Sequence, residues 1–488
     1  GRLRIELQRR PPRQVELPPG QRDPGDPKKM TQDELYHAGE WLDRFVRTPE
    51  ALTYYDEALR RDPKDSRVNV ELGFLALKQG RWEEGLKRFD TALERDADNA
   101  RIYFGRGLAQ AALGRFDEAY DNFYRATWSA DWYAPAYLNL ARIELRRGRW
   151  FEALEKTRQA ASTNATFADI PALQAAAWRH AGDSKNALAA AERALALDPM
   201  HFMGGYEKVQ ALGQAGGEWE KQWAAVMRAE PQNYLELATA YGAAGLYADA
   251  ETVLARAPAH PMVSYVRGYY REMAGDKGAA QRFYGEGARG AVNYVNPHRL
   301  EELSALEATL HYTRRDAHAH LFLGNLLYAK GRREEGFAHW REAVTIDPGL
   351  WQAWRNVAYA ERFLKKDLRA AYATYRKTLE VNPGDARALL EMDQAAEQLR
   401  MSPAERFAVL NRHPDTVGQR DDLTARLADL QLKAGDPDNL KLAHQVLGSH
   451  HFHSWEGRYG IHESWVEVNQ RLGDLAFVRR DYAAALKH

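Results

Sequence analysis

Arg115-Phe-Asp-Glu-Ala119-Tyr-Asp-Asn-Phe123-Tyr-Arg-Ala126 is the stretch whose reading decides the fold. Its Ala119 is one of five small residues, Ala51, Gly85, Ala119, Ala153 and Ala187, that follow one another at a constant step of thirty-four. Gly107 stands twelve residues before Ala119, Phe123 four after it and Ala126 seven after it. Gly85 has the same companions in Gly73, Phe89 and Ala92, and Ala51 has Tyr55, Ala58 and Pro63. Two small residues at fixed positions let a pair of helices approach closely, and the large one fills the space between neighbouring pairs. The period therefore predicts antiparallel helix pairs, each stacked only on its neighbours.

Thirty-four residues with these offsets resemble the tetratricopeptide repeat, TPR. The expected fold is all-α, a right-handed solenoid of about 12–13 helix-pair units. Length agrees, because 488 residues exceed what one core can organise while a stacked array has no such ceiling. Lys+Arg and Asp+Glu each number 68, so the formal net charge is zero and a nucleic-acid surface over the whole chain is not expected. With no cysteine there are no disulfides, thiolate metal sites or cysteine nucleophiles. No apolar run approaches the roughly 18–20 residues of a membrane span. A cytoplasmic location is expected, with a periplasmic or secreted one left open by the missing thiols.

Leu3, Ile5 and Leu7 alternate with polar residues, so 1–9 reads as an orphan strand left from an upstream β domain. Prolines 11, 12, 18, 19, 24 and 27 make 10–30 a linker. Thr31 with Glu34 forms a capping box that starts the first helix. A regular block runs over 31–199, and diverged units over 200–313 end in an isolated amphipathic helix near 298–313. A second regular block covers 314–400. Diverged units at 401–488 contain an irregular loop at 450–460, and their last helix is cut short at His488.

The first helix of each unit should line an inner, concave surface. Counting from the small eighth-position residue puts Arg101, Phe104 and Leu108 there, then Leu138, Arg142 and Arg146, then His318, Asn325 and Tyr328, then Gln352, Arg355, Tyr359 and Arg362. Such a mixture of arginine and aromatic residues suits an extended peptide, an acidic segment or a sugar chain. Peptide-binding repeats of this kind carry a carboxylate clamp. Asn325, Asn356 and Arg387 occupy three of its positions, while Leu321 and Glu391 replace two of its cations. His450, His451, His453, Glu456 and His462 lack the spacing of a helical metal motif, and no metal is expected. Trp128, Trp132 and Tyr133 read as packing between units, with sugar stacking as the sharper alternative.

Asp117-Glu-Ala-Tyr-Asp-Asn-Phe-Tyr-Arg-Ala-Thr-Trp128, Pro231-Gln-Asn-Tyr-Leu-Glu-Leu-Ala238, His298-Arg-Leu-Glu-Glu-Leu303, Leu323-Gly-Asn-Leu-Leu-Tyr328 and Phe452-His-Ser-Trp-Glu-Gly457 resemble one family of large bacterial proteins. Its members carry an N-terminal domain of unknown function, a mutarotase-like β-sandwich, followed by a long TPR array. The similarity covers about 31 to 488, and it departs at Ser454 and at Arg458-Tyr-Gly460. It implies an upstream sandwich and a carbohydrate-processing context.

The first functional reading is a non-enzymatic scaffold whose groove binds a partner protein or its own upstream domain, with no cofactor. Arg101, Arg142, Asn325, Arg355, Asn356, Tyr359 and Arg387 are its candidate contacts. The alternative is a glycoside hydrolase-like enzyme with an oligosaccharide site where 293–303 meets 450–460. Glu456 and Glu301 would be its carboxylates, with Arg299, His453 and Trp455 beside them. Self-association through the exposed ends is a third reading.

Overall fold

Glycines with an aromatic residue sixteen positions later organise the packing. A Cβ built on Gly73 would stand 2.6 Å from the Phe89 ring, and one on Gly107 would stand 2.7 Å from Phe123. The same holds for Gly268 against Tyr284 and Gly324 against Trp340, each at 2.4 Å. No real side chain tolerates such distances, so the ring of the second helix lies flat on the bare backbone of the first. The small residues of the second helix, Ala51, Ala119, Ala153 and Ala187, are fully buried.

The computed structural model describes residues 24–213, 217–453 and 460–488. The expected strand at 1–9, residues 10–23 of the expected linker, and both Trp455 and Glu456 lie outside the described residues. Among the described residues the secondary structure is helical throughout, with no strand. By contacts the chain divides into two compact units, Gly1–Leu77 with Arg81–Tyr137, and Lys78–Gly80 with Leu138–His488.

In the first unit run α1 (Gln32–Arg44), α2 (Thr48–Arg61), α3 (Ser66–Lys78), α4 (Trp82–Leu93), α5 (Ala100–Ala112), α6 (Phe116–Ala126) and the start of α7 (Ala130–Arg146). Thr31 caps α1, its hydroxyl accepting from the Glu34 amide while the Glu34 carboxylate accepts from the Thr31 amide at 2.7 Å. Gly114, at φ +75°, makes the tight turn between α5 and α6, a conformation that other residues reach only with strain. Asn99 caps α5 in turn.

In the second unit, α7 continues into α8 (Trp150–Thr163), α9 (Asp169–His180), α10 (Ser184–Leu197), α11 (Phe202–Leu212), α12 (Glu218–Met227), α13 (Pro231–Ala243), α14 (Tyr247–Leu254), α15 (Pro261–Met273) and α16 (Lys277–Gly287). After an irregular segment come α17 (Leu300–Tyr312), α18 (Ala317–Ala329), α19 (Arg333–Ile346), α20 (Trp351–Phe363), α21 (Leu368–Val381) and α22 (Ala386–Gln398). The rest is α23 (Pro403–Leu410), α24 (Pro414–Val417), α25 (Asp421–Ala434), α26 (Pro437–Ser449), α27 (Ile461–Val478) and α28 (Tyr482–Lys487). Partners in a pair adjoin in sequence, as in α9 with α10, α15 with α16, α18 with α19 and α20 with α21.

The helix expected to stand alone near 298–313 does not. α17 packs against α15 and α18, with Leu303, Ala305 and Leu306 buried. The carboxylate of Glu302 anchors its start by accepting from the backbone amides of His298 and Arg299.

Candidate functional site

Within the second unit the inner helices behave in two ways. Over residues 138–304 they are tied to one another. Arg146 of α7 donates to the carbonyls of Gly242 at 3.0 Å and Ala243 at 3.3 Å, at the C-terminal end of α13, and to the Tyr247 hydroxyl. The last carbonyls of a helix lack the usual i+4 amide partner, so a guanidinium there adds a cap and a favourable charge.

Arg179 of α9 forms a two-pronged pair with the fully buried Glu207 of α11, at 2.8 and 2.9 Å. It also reaches Asp249 of α14 at 2.9 Å. Tyr241 of α13 donates to Glu207 at 2.6 Å, and His180, stacked on Trp150, contacts Asp249 at 2.7 Å. Burial raises Asp249 toward the neutral form, yet the hydrogen bonds from His180 and the charge of Arg179 outweigh it and hold the carboxyl below its usual range.

Over α18, α20 and α22 the inner wall instead lines a hollow of about 670 Å³, within the range of ligand sites. Asn325, Arg355, Asn356, Tyr359 and Arg387 meet there, joined by Tyr328, Trp340, Trp351 and Gln352. Asn325 Oδ1 accepts two hydrogen bonds, from Trp340 Nε1 at 2.9 Å and from Asn356 Nδ2 at 2.8 Å. This fixes both amides in one orientation. The Asn325 amide N–H groups and Asn356 Oδ1 have no hydrogen-bond partner among the described residues. Tyr328 stacks on Trp340 with centroids 4.8 Å apart, and Tyr359 meets Tyr328 edge-on. Burial raises the pKa of the Tyr328 hydroxyl, which stays a neutral donor and acceptor.

The cations of this groove are already paired. Arg355 lies 3.2 Å from the buried carboxylate of Asp385. Arg387 lies 2.9 Å from Glu391, whose hydrogen bond holds the guanidinium pKa above its ordinary value. Glu391 also accepts from Tyr375 at 2.9 Å. Arg362 turns away from the groove to donate to Gln394. The groove is therefore polar and aromatic but close to electrically neutral.

The remaining candidates are not part of this constellation. Arg101, in the first unit, is bound two-pronged to Glu71 at 2.6 and 2.9 Å. Arg142 lines a different cavity, with Asp169. Arg299 donates to Gln232 at 2.8 Å and pairs with Glu236 at 3.3 Å. Glu301 contributes its charge to the surroundings of Arg142. His453 and His450 both hold Asp421, at 3.1 and 2.8 Å. The His450 imidazole, then the His453 backbone amide at 2.7 Å and the His453 imidazole hold the carboxyl well below the usual range, at about 2. The hydrolase reading needs 293–303 and 450–460 to converge. Of the first segment, Arg299 engages α13 and Asn293 engages α20; of the second, His450 and His453 engage Asp421 of α25, and 454–459 lie outside the described residues. Among the described residues no three histidine, aspartate or glutamate side chains group as a metal site.

Sequence reasoning assigned the irregular segment 293–303 to a separate sugar site and missed that 292–296 belongs to this hollow. Val292, Asn293, Tyr294, Val295 and Asn296 form one wall of the hollow, and Gln352 donates to Asn293 Oδ1 at 2.9 Å. Its only signal in the sequence was a break in the pattern before Pro297.

A tetratricopeptide-repeat family model matches residues 42–84, 71–135 and 303–350. The chain carries tetratricopeptide repeats. The last of these matches runs from α17 to the end of α19 and takes in Asn325 and Trp340 of the groove. Solved structures with related folds include MamA, 20% identical, with a TM-score of 0.32 over 34% of this chain and 92% of that one. YrrB, described as a TPR protein with an unusual peptide-binding site, is 18% identical, with a TM-score of 0.33 over 36% and 92%. A tetratricopeptide repeat protein from Parabacteroides merdae is 13% identical, with a TM-score of 0.36 over 57% and 98%. Among the described residues no helix is long and apolar enough to cross a membrane.

Proposed function

We propose that this chain is a scaffold that holds an extended segment of a partner protein in the groove of α18, α20 and α22. The carrying observation is the fixed pair Asn325 and Asn356, which offers donors on one residue and an acceptor on an inner residue of the next unit. A peptide backbone presents the complementary alternation of C=O and N–H along its length, and an extended one leaves both groups of each residue unpaired. Tyr328, Tyr359 and Trp351 supply flat apolar faces for side chains between those contacts.

Internal pairing of Arg355 and Arg387 argues for reading the middle of a segment over gripping a free carboxylate. A ligand carboxylate would have to compete with Asp385 and Glu391 for the same guanidinium groups. Display selection of peptides against the whole chain tests this. Selected sequences should bind equally with free and amidated C-termini, and Asn356→Ala should weaken them at least tenfold. Binding that disappears on amidation would restore the carboxylate clamp. Selection of no peptide, together with binding of oligosaccharides on an array, would replace the reading with a sugar site.

A further inference from the structure

A second cavity, of about 410 Å³, lies in the tied part of the second unit among α7, α9, α11 and α13. It has one cation, Arg142, whose pairing is incomplete. Nη1 donates to Asn139 at 3.3 Å, and the nearest carboxylate, Asp169, is 4.0 Å from Nη2. Nε is shut off from solvent and has no partner among the described residues. A guanidinium has five N–H donors, and a buried one left unmet costs about 1–3 kcal/mol. Burial lowers the Arg142 pKa, against the opposing charges of Asp169 and Glu301.

Asp169 is meanwhile engaged elsewhere. It accepts from His201 Nε2 at 2.9 Å, and His201 Nδ1 accepts the Gly204 amide at 3.0 Å. That imidazole is therefore the neutral Nε2–H form, and its hydrogen bond holds the Asp169 carboxyl below its usual range. Around the same cavity stand two further carboxylates. Asp198 is exposed, and Glu236 pairs with Arg299 at 3.3 Å.

These charges choose the ligand class. A simple anion would satisfy Arg142 but would face Asp169, Asp198 and Glu236, and Arg142 already feels the charge of Glu301. A simple cation would suit the carboxylates but would leave the Arg142 donors unmet. Only a molecule carrying both signs answers both demands. Leu173, Met203 and Leu237, all buried, together with Met200 and Phe202, make the remaining wall apolar. The volume, near the lower end of the roughly 300–1,000 Å³ of small-molecule sites, admits a molecule of amino-acid size.

We propose that this cavity binds a free α-amino acid with an apolar side chain. Its carboxylate sits on Arg142, its ammonium group faces Asp198 and Glu236, and its side chain lies on Met200, Phe202 and Met203. This site is separate from the α18–α22 groove and does not depend on the peptide reading.

Calorimetry and thermal shift on the whole chain test it, with L-leucine and L-methionine as probes. N-acetyl-L-leucine lacks the ammonium group and L-leucinamide lacks the carboxylate. The free amino acids should bind and raise Tm, and each blocked derivative should bind at least tenfold more weakly. Arg142→Met should abolish binding, and Asp198→Asn, at an exposed position, should weaken it several-fold without moving the Tm of the unliganded chain. Should Arg142→Met fail to fold, the two derivatives and Asp198→Asn still decide the matter. Absence of any heat or Tm shift with leucine and methionine at about 10 mM overturns the proposal. So does N-acetyl-leucine binding as tightly as leucine, which would make the cavity an anion site.

Discussion

Two stretches of inner wall in the second unit, built from the same repeat, end in opposite states. Along 138–304 the inward-facing Arg146, Arg179, Glu207 and Asp249 find partners on other helices and act as fasteners. Along α18, α20 and α22 the arginines are paired within the wall, while Asn325, Asn356 and the tyrosines keep polar atoms and ring faces toward a hollow. The difference teaches that an inward position in such an array is not in itself a binding position. What matters is whether complementary groups come within reach of every donor and acceptor at that position.

The first way to break this comparison is to remove a fastener. Arg179→Ala would strand the fully buried Glu207, and leaving one member of a buried pair alone costs about 3–5 kcal/mol. Urea denaturation should show that loss, while peptide binding at the groove should persist at temperatures where the variant stays folded. A loss of under 1 kcal/mol would mean that the network is ornamental.

Asp249→Asn should cost about 1.5–3 kcal/mol at pH 7, the usual worth of hydrogen bonds to a charged group. The folded-state pKa of Asp249 is depressed, so its contribution is present above the unfolded value of about 3.9 and is lost as pH falls through the folded value. Denaturation midpoints of the two proteins should therefore converge below about pH 4. A constant gap down to pH 2.5 would show that the effect is steric.

At the groove the expected effects are smaller and of another kind. Asn356→Ala should weaken a selected peptide at least tenfold, about 1.4 kcal/mol, with the stability of the chain almost unchanged. Equal losses in binding and stability would turn the asparagine pair into another fastener.

The smallest effect is expected at Asp316, the buried cap of α18, which accepts from the Ala319 amide and the Tyr265 hydroxyl. Burial raises its pKa, so charging it opposes the folded state once pH exceeds the folded value. Asparagine keeps the cap without the charge. Asp316→Asn should leave stability at pH 7 unchanged or raised by up to about 1 kcal/mol, an increment that fades on acidification. Destabilisation at pH 7 would show that the carboxylate is needed as an ion.

Much of this was legible from the chain alone. Gly73 with Phe89 and Gly324 with Trp340 record a helix-on-helix contact inside one unit, so a short period captures it. Asn325, Arg355, Asn356, Tyr359 and Arg387 fall on inward-facing positions of successive units, and counting brings them together. The neutral character of the groove was not legible. Arg355 meets Asp385 thirty residues on, and the geometry between units decides whether they touch. The fastening of 138–304 was more remote still, because Arg146 and the carbonyl of Gly242 are 96 residues apart. No local pattern reports such a contact. The place of 292–296 in this groove was not legible for the reverse reason, since irregular backbone has no period to read.

Photo-crosslinking from the inner wall tests the account most directly. A benzophenone amino acid placed at Gln352, in the groove, or at Ala240, in the fastened stretch, would report where a display-selected peptide lies. The account predicts crosslinks from position 352 and none above background from position 240. Crosslinks from 240 as strong as those from 352 would contradict it.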